Sequence, residues 1–396
     1  MQAFKFAHIA DAHVGHGQWW GEIKRKRRED FGKAFLYAID MMINHQVDFV
    51  VDAGDLTDKQ AAPEWDRSFV REGLEKLKVQ NIPYYAIRGN HNDADSVDGL
   101  SLLDEMEDMH LLQVPTGLLN TPASFEKNDI GVNIFGLPWS GSATQSLLSK
   151  PSDLLDTIIE FDHNCDYTIL VAHCGLEGLM PQMYPETVPL ETFYNMKPYI
   201  DYVALGHIHK PFDDGFIRMP GSLEVLNKGE VDYNSGINIV TVTIDDDGKA
   251  TTEVEKVQVP RRPWVFLESN IGKFDTSKEL TEDIVRHMKS SIVAVDGYDD
   301  DPIVVIELEG QRSFRVNRQA IRDGVMNSSA FVCQIDDNSV PAGVDIDVEL
   351  TGKLASEIEI EFFEKNLGDD AGAALEIKRQ VLLGLSGKKI LESLDA

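Results

Sequence analysis

Phe4-Lys5-Phe6-Ala7-His8-Ile9-Ala10-Asp11-Ala12-His13 decides how the chain is read: an apolar strand runs straight into a carboxylate and an imidazole two residues apart. Downstream, Phe31, Ala34, Phe35, Ala38, Ile39 and Met42 recur at helical spacing, and Val47-Asp48-Phe49-Val50-Val51 reads as the next buried strand. Tyr84 to Ile87 and Tyr167 to Val171 read as further strands. Helices are expected around Phe69, Leu74 and Leu77, and around Leu100, Leu103 and Met106. Ile237 to Ile244, the acidic turn Asp245-Asp246-Asp247-Gly248 and a return strand through Val254 to Val259 close the block. Strands alternating with helices predict a layered α/β fold. At Pro260-Arg261-Arg262-Pro263 the rhythm changes, so a boundary is expected there. Residues 264–350 read as strand, helix, strand, strand, helix, strand, a small two-layer α+β unit, and a helical tail is expected from Leu354. The expected division is therefore 1–259, 260–352 and 353–396.

Five short motifs each follow a predicted strand: Asp11-Ala12-His13, Gly54-Asp55-Leu56-Thr57-Asp58, Gly89-Asn90-His91-Asn92-Asp93, Ala172-His173-Cys174 and Gly206-His207-Ile208-His209. In an extended chain, residues two apart share a face, which predicts that Asp11 and His13 point one way, and likewise His207 and His209. Gly54, Gly89 and Gly206 are expected to let the backbone turn sharply as it leaves the sheet. Strand ends that converge on one sheet edge make the usual binding crevice of an α/β fold. The set of imidazoles, carboxylates and one amide oxygen, without thiolate, suits Mn²⁺, Fe or Zn²⁺. Seven such donors exceed the needs of one ion and suit two, with Asp55 the natural bridging carboxylate.

The 67 Asp+Glu outnumber the 37 Lys+Arg, for a formal net charge of −30, which taken alone argues against a nucleic-acid partner. The imbalance is uneven: residues 291–370 hold 18 acids against six bases, whereas residues 1–100 hold 16 against 13, so the motif-bearing start is nearly neutral. Because salt screens charge beyond about 8–10 Å, the local field decides binding, and the surplus reads as an adaptation to a salt-rich solvent. No apolar run approaches the ~20 residues of a membrane span, and no signal peptide precedes the first strand. Cys165, Cys174 and Cys333 form no CxxC pair, which points to a reducing, cytoplasmic setting.

The ordered motifs resemble the signature of the calcineurin-like metallophosphoesterases, D-x-H, GDxxD, GNH, a lone His and GHxH, over the first 260 residues. The resemblance implies a two-layered β-sandwich core flanked by helices, with two divalent ions, most often Mn²⁺. One ion takes Asp11, His13, Asp55 and His209; the other takes Asp55, Asn90, His173 and His207. His91 is implied as the catalytic residue beside them. Phe6 to Gly15, Pro220-Gly221-Ser222, Arg262-Pro263-Trp264 and the helical tail are similar to the SbcD-type DNA double-strand-break repair nucleases. That narrower resemblance implies 3′→5′ exonuclease action on duplex ends and endonuclease action on single strands, with DNA ends, hairpins and single strands as expected partners. It also implies a DNA-capping second domain, a homodimer, and an ABC-type ATPase with a long coiled coil bound through the tail. Many such nucleases carry histidine three residues after the bridging carboxylate; here Asp58 stands there and is expected to pair with His91 and orient it. A small-substrate phosphatase, a cyclic-nucleotide phosphodiesterase and a non-catalytic DNA-end scaffold are the alternative readings.

Lys24-Arg25-Lys26-Arg27-Arg28 is five consecutive bases, expected to contact phosphates or else to form a solvated helix start; Ser222 is a further candidate DNA contact. Trp19-Trp20 reads as a base-stacking pair, a dimer seal or a loop anchor. Arg312, Arg315, Arg318 and Arg322 form a second basic cluster, and Leu100, Leu102, Leu103 and Met106 are candidates for a dimer contact or for core.

Overall fold

The computed structural model describes residues 2–59, 62–92, 102–110, 113, 122–139, 148, 155–156, 158–159, 165–179, 187–291 and 301–341. The expected helical tail and Leu100 lie outside these. The chain starts with β1 (Gln2–Ile9), α1 (Gly21–Asn44), β2 (Phe49–Asp52), α2 (Glu64–Val79), β3 (Tyr84–Ala86) and α3 (Leu102–Asp108). It continues with β4 (Ala123–Lys127), β5 (Ile130–Leu137), β6 (Tyr167–His173), the short pair β7 (Gly175–Leu176) and β8 (Thr187–Val188), and β9 (Tyr202–Gly206). Next come β10 (Phe212–Asp213), β11 (Ile217–Met219), β12 (Ile237–Ile244) and β13 (Ala250–Val257).

These strands make two sheets, ordered β13-β12-β1-β2-β3 and β10-β11-β9-β6-β5-β4. Strands β1, β2 and β3 run parallel, as do β5, β6, β9 and β11. Each parallel set therefore sends its C-terminal ends to one edge of its sheet. Period-two alternation builds the layers. From β1, Phe4 and Phe6 join Phe49, Tyr167, Ile169 and Tyr202 in the core between the sheets. Ala7 and Ile9 turn outward to meet Phe35, Ile39 and Leu74 of α1 and α2. Phe6 stacks on Phe49 of its own sheet at 5.1 Å and meets Tyr202 of the facing sheet edge-on at 5.1 Å, so the rings tie the sandwich together. The outer face of the second sheet is covered by Phe193, Met196 and Ile200. Leu102, Leu103 and Met106, offered as dimer contacts, are buried in this chain's own core against the α1–α2 layer.

Beyond Pro263 the first six elements come in the expected order and a short strand is added as a seventh. They are β14 (Trp264–Asn270), a helix over Ser277–Ser291, β15 (Ile303–Glu309), β16 (Gln311–Arg312), a helix over Arg318–Met326, β17 (Val332–Asp337) and β18 (Val340–Pro341). Strands β14, β15 and β17 pair in parallel. By packing the chain divides into one unit of Met1–Glu309 with Arg315–Asn338, and a second of Gly310–Phe314 with Ser339–Ala396. Arg262 lies buried, its Nε and Nη2 on Asp30 of α1 at 2.6 and 2.8 Å and its Nη1 on the Asp301 carbonyl, with its main-chain N–H donating to Glu224.

Candidate metal centre

The five motifs arrive at one edge of the sandwich, and they get there by loop geometry more than by strand pleat. β1 ends at Ile9, and Asp11 and His13 follow in left-handed backbone at φ 52° and 44°. Asp55 at φ 58° and His207 at φ 92° share that conformation, which costs a non-glycine residue of order 1–3 kcal/mol and clusters at functional sites. The strain is held by main-chain bonds: the N–H groups of Asp11, His13 and Val14 donate to the carbonyls of Gly54, Asp55 and Leu56. His207 and His209 both reach the centre but meet different partners there. His207 Nδ1 lies 2.9 Å from Asn90 Oδ1, and His209 Nε2 lies 3.1 Å from His13 Nε2.

Of the motif glycines, Gly54 uses a positive φ of 101°, where a side chain would also strike the His173 ring. Gly89 is needed for closeness instead, because a methyl there would collide with the Asp55 carboxylate.

Asp55 lies at the centre. Its Oδ1 accepts from the His91 main-chain N–H at 2.8 Å, leaving Oδ2 between His173 Nε2 at 3.2 Å and His13 Nε2 at 3.9 Å. Among the described residues three groups of potential ligands follow: Asp11 with His13 and His209, Asp11 with Asp55 and His173, and His13 with Asp55 and His91. His173 Nδ1 lies 2.7 Å from the Ala53 carbonyl and so donates, which leaves Nε2 facing two acceptors, Asp55 Oδ2 and Asn90 Oδ1 at 2.9 Å. A bare ring nitrogen among two acceptor oxygens is unfavourable unless a cation or an extra proton sits there. The same holds for the two opposed Nε2 atoms of His13 and His209. The donor set therefore fits divalent ions, with outer hydrogen bonds fixing the rings as metal sites require.

The charges respond accordingly. Burial opposes a proton on His173, but the Asp55 charge and hydrogen bond outweigh it and push its pKa up to about 9. Asp55 in turn sits below the usual carboxylate range: burial works against this, and His173 overcomes it. Burial alone dominates at His13, which is driven well down, and at Asp11, which is driven up. His207 falls to about 3 through burial and then the nearby His173 charge.

Residues 4–211 match the calcineurin-like phosphoesterase family. The chain belongs to that family. It is therefore a metal-dependent phosphoesterase, a hydrolase of mixed α/β fold. Its curated relatives include the DNA double-strand break repair protein Mre11 of Methanosarcina mazei, 25% identical over 87% of this chain and 51% of that protein. Mre11 of Methanocaldococcus jannaschii is 24% identical over 98% and 97% of the two chains. Mre11 of Sulfolobus acidocaldarius is 26% identical over 80% and 79%. The phosphoesterase thus spans about half the length of the Methanosarcina relative and nearly all of the Methanocaldococcus one. Among solved structures, a dimetal phosphatase from Danio rerio covers 64% of this chain and 97% of its own, at 11% identity and a TM-score of 0.37.

Around the phosphoesterase site, several sequence expectations change. The Asp58 carboxylate does not hydrogen-bond His91: it lies 3.9 Å from His91 Nδ1, which instead bonds the Asp58 carbonyl at 2.8 Å. His16 takes the carboxylate, Nδ1 to Oδ1, at 2.8 Å. Arg27 is removed from the candidate DNA contacts, because it is fully buried between Asp30 and Glu224. Ser222 is buried as well. Arg28 pairs with Asp66 and lies over Trp65, and Arg25 pairs with Glu22, while Lys24 and Lys26 remain exposed. The two tryptophans divide: Trp19 packs near Trp264 and Ile303 as a loop anchor, and Trp20 is 86% exposed. In the second basic cluster Arg318 pairs with Asp337. Three residues that no motif announces join the site: His16, Glu230 on His209 Nδ1 at 2.9 Å, and Trp139, stacked on His207 at 5.0 Å. Only Trp139, at the end of the apolar run Ile134-Phe135-Gly136-Leu137, left a strand-end signal.

Proposed function

We propose that this phosphoesterase is a two-metal DNA phosphodiesterase, the nuclease subunit of a double-strand-break repair complex. The observation that carries the reading is the overlapping set of imidazole and carboxylate groups formed by Asp11, His13, Asp55, His173 and His209, in a chain similar along most of its length to proteins named Mre11. In this reading Asp11, His13, Asp55 and His209 hold one ion, and Asp55, Asn90, His173 and His207 the other, with Mn²⁺ as the working metal. Such ions supply Lewis acidity toward phosphoryl oxygens. The protein supplies the rest. Asp11 and Asp55 are oriented by the main-chain N–H groups of His207 and His91. With His91 Nδ1 donating to the Asp58 carbonyl, Nε2 is left to face the leaving oxygen, and His91 in its imidazolium form would give that oxygen the Nε2 proton as water attacks phosphorus in line. Asp58 is assigned the support of His16 and of the loop that carries the carbonyl. Lys24, Arg25, Lys26 and Arg28 remain the proposed phosphate contacts.

The partners belong to the same proposal: DNA ends, hairpins and single strands as substrate, a second copy of the chain, and an ABC-type coiled-coil ATPase bound through residues 353–396. Residues 260–352 are assigned to capping the DNA, and the complex to the cytoplasm. Among the described residues no helix is long and apolar enough to cross a membrane. Mn²⁺-dependent digestion of end-labelled duplex and hairpin DNA is the test. Hydrolysis of bis-p-nitrophenyl phosphate with DNA left intact refutes the nuclease reading in favour of a small-substrate hydrolase. Metal uptake without cleavage of either refutes catalysis in favour of a scaffold.

A further inference from the structure

His209 differs from the other candidate ligands in what holds its outer ring nitrogen. His173 Nδ1 bonds a main-chain carbonyl, and His13 Nδ1 has no hydrogen-bond partner among the described residues, whereas His209 Nδ1 meets the carboxylate of Glu230 at 2.9 Å. Glu230 is buried. Its Oε2 accepts from the Leu226 main-chain N–H at 2.9 Å, and its Oε1 also accepts from Asn227 Nδ2 at 2.5 Å. With N–H donors on both oxygens the carboxylate acts as acceptor throughout. His209 must then carry its proton on Nδ1 and present the Nε2 lone pair to the site, 3.1 Å from His13 Nε2.

The geometry points to Glu230 as the positioning residue for His209, one that fixes its ring tautomer and orientation and so sets the affinity of one metal position without touching the ion. The inference rests on the metal-site reading above and deepens it. Glu230 is well supported for the task. It sits on a short 3₁₀ turn, Lys228–Glu230, capped by Asn227, whose side chain accepts from the Gly229 N–H. The same turn is pinned from outside, because the Lys228 ammonium reaches Glu307 on β15 at 3.2 Å and Asp336 on β17 at 2.6 Å. An outer carboxylate on a ligating histidine raises its basicity as well as aiming it, and losing such a partner weakens metal binding by about 10–100-fold.

Metal-stripped full-length protein, wild type and Glu230→Gln, is titrated with Mn²⁺ by calorimetry and electron paramagnetic resonance, and each is melted in EDTA. The expected result is a two-site wild type, and a Glu230→Gln variant in which one site is weakened by about 10–100-fold, the other is retained, and the apo melting temperature stays near wild type. Asn227→Ala, which leaves the carboxylate but removes a second bond to it, is expected to weaken the same site less, and serves if Glu230→Gln does not fold. Unchanged affinities in a two-site background overturn the positioning role. So does a loss shared equally by both sites and matched by a fall in apo stability, since that describes a structural residue. Failure of the wild type itself to take up two ions instead overturns the metal-site reading on which the inference stands.

Discussion

Asp30→Asn tests the buried charge cluster that ties α1 to the segment after the phosphoesterase core. Asp30 accepts three bonds: from Arg27 Nη1 at 3.0 Å, and from Arg262 Nε and Nη2 at 2.6 and 2.8 Å. Arg27 reaches Glu224 as well, at 3.2 Å, and the Arg262 guanidinium lies 3.9 Å from the Phe331 ring centroid. Two guanidinium groups and two carboxylates thus meet in a site with almost no water contact. Replacing Asp30 by Asn keeps the shape and removes one negative charge, so a positive charge is stranded in a low-dielectric interior. Breaking a buried pair by removing one partner costs about 3–5 kcal/mol, against a total stability of about 5–15 kcal/mol. At about 2–4 °C per kcal/mol for a unit of this size, the melting temperature should fall by about 6–20 °C. Calorimetry with near-ultraviolet circular dichroism checks it. The double variant Asp30→Asn/Arg262→Met removes one charge of each sign and should recover part of the loss, giving a coupling of about 0.5–3 kcal/mol. A loss below about 1 kcal/mol, or strict additivity in the cycle, refutes the claim that this cluster is buried and mutually dependent.

His91→Asn should cut turnover on DNA by about 10²–10⁴-fold while leaving Mn²⁺ stoichiometry at two, checked by single-turnover kinetics and calorimetry. Asp58→Asn should cost less than His91→Asn in the same assay, because the atom that holds His91 Nδ1 is the Asp58 carbonyl, which the substitution preserves. Lys256 is half-buried, and the loss of water around its ammonium, only partly offset by Asp213, pushes its pKa down from 10.5 to about 7. Between those values the unfolded chain binds a proton that the folded chain does not, so stability should rise as pH climbs from about 7 toward 10.5, by the usual linkage. Lys256→Met should flatten that slope in melting curves taken across the window. Chelation of bound Mn²⁺ should lower the melting temperature, since a ligand at 100 times its Kd contributes about 2.7 kcal/mol, and restoring Mn²⁺ should reverse the shift.

The strand signals were legible because alternation and apolar runs are local properties. Phe4, Phe6, Phe49, Tyr167 and Tyr202 announce a buried sheet from their neighbours alone, and they meet in one core. The motif order was legible for the same reason: each motif follows its strand within a few residues, and parallel strands carry all of them to one edge. The basic run at 24–28 was not legible as a whole. A helix sorts consecutive residues onto different faces, so Arg27 turns inward while Lys24 and Lys26 face solvent. The side-chain partner of Asp58 was missed because His16 and His91 are both within reach of position 58 and only the loop path chooses between them.

By itself the sequence determined the layered α/β class, the family and the identity of the candidate ligands, because strand periodicity and strand-end motifs are written within a few residues of one another. Only the tertiary structure decided which nitrogen of each imidazole faces the site, that His207 and His209 meet different partners, and that Glu230 and Trp139 stand behind them. Those outcomes depend on left-handed loop residues and on pairs as distant in the chain as His13 with His209 and Arg27 with Glu224. No local pattern encodes such meetings, since they arise only once both sheets have packed face to face and brought their C-terminal edges together.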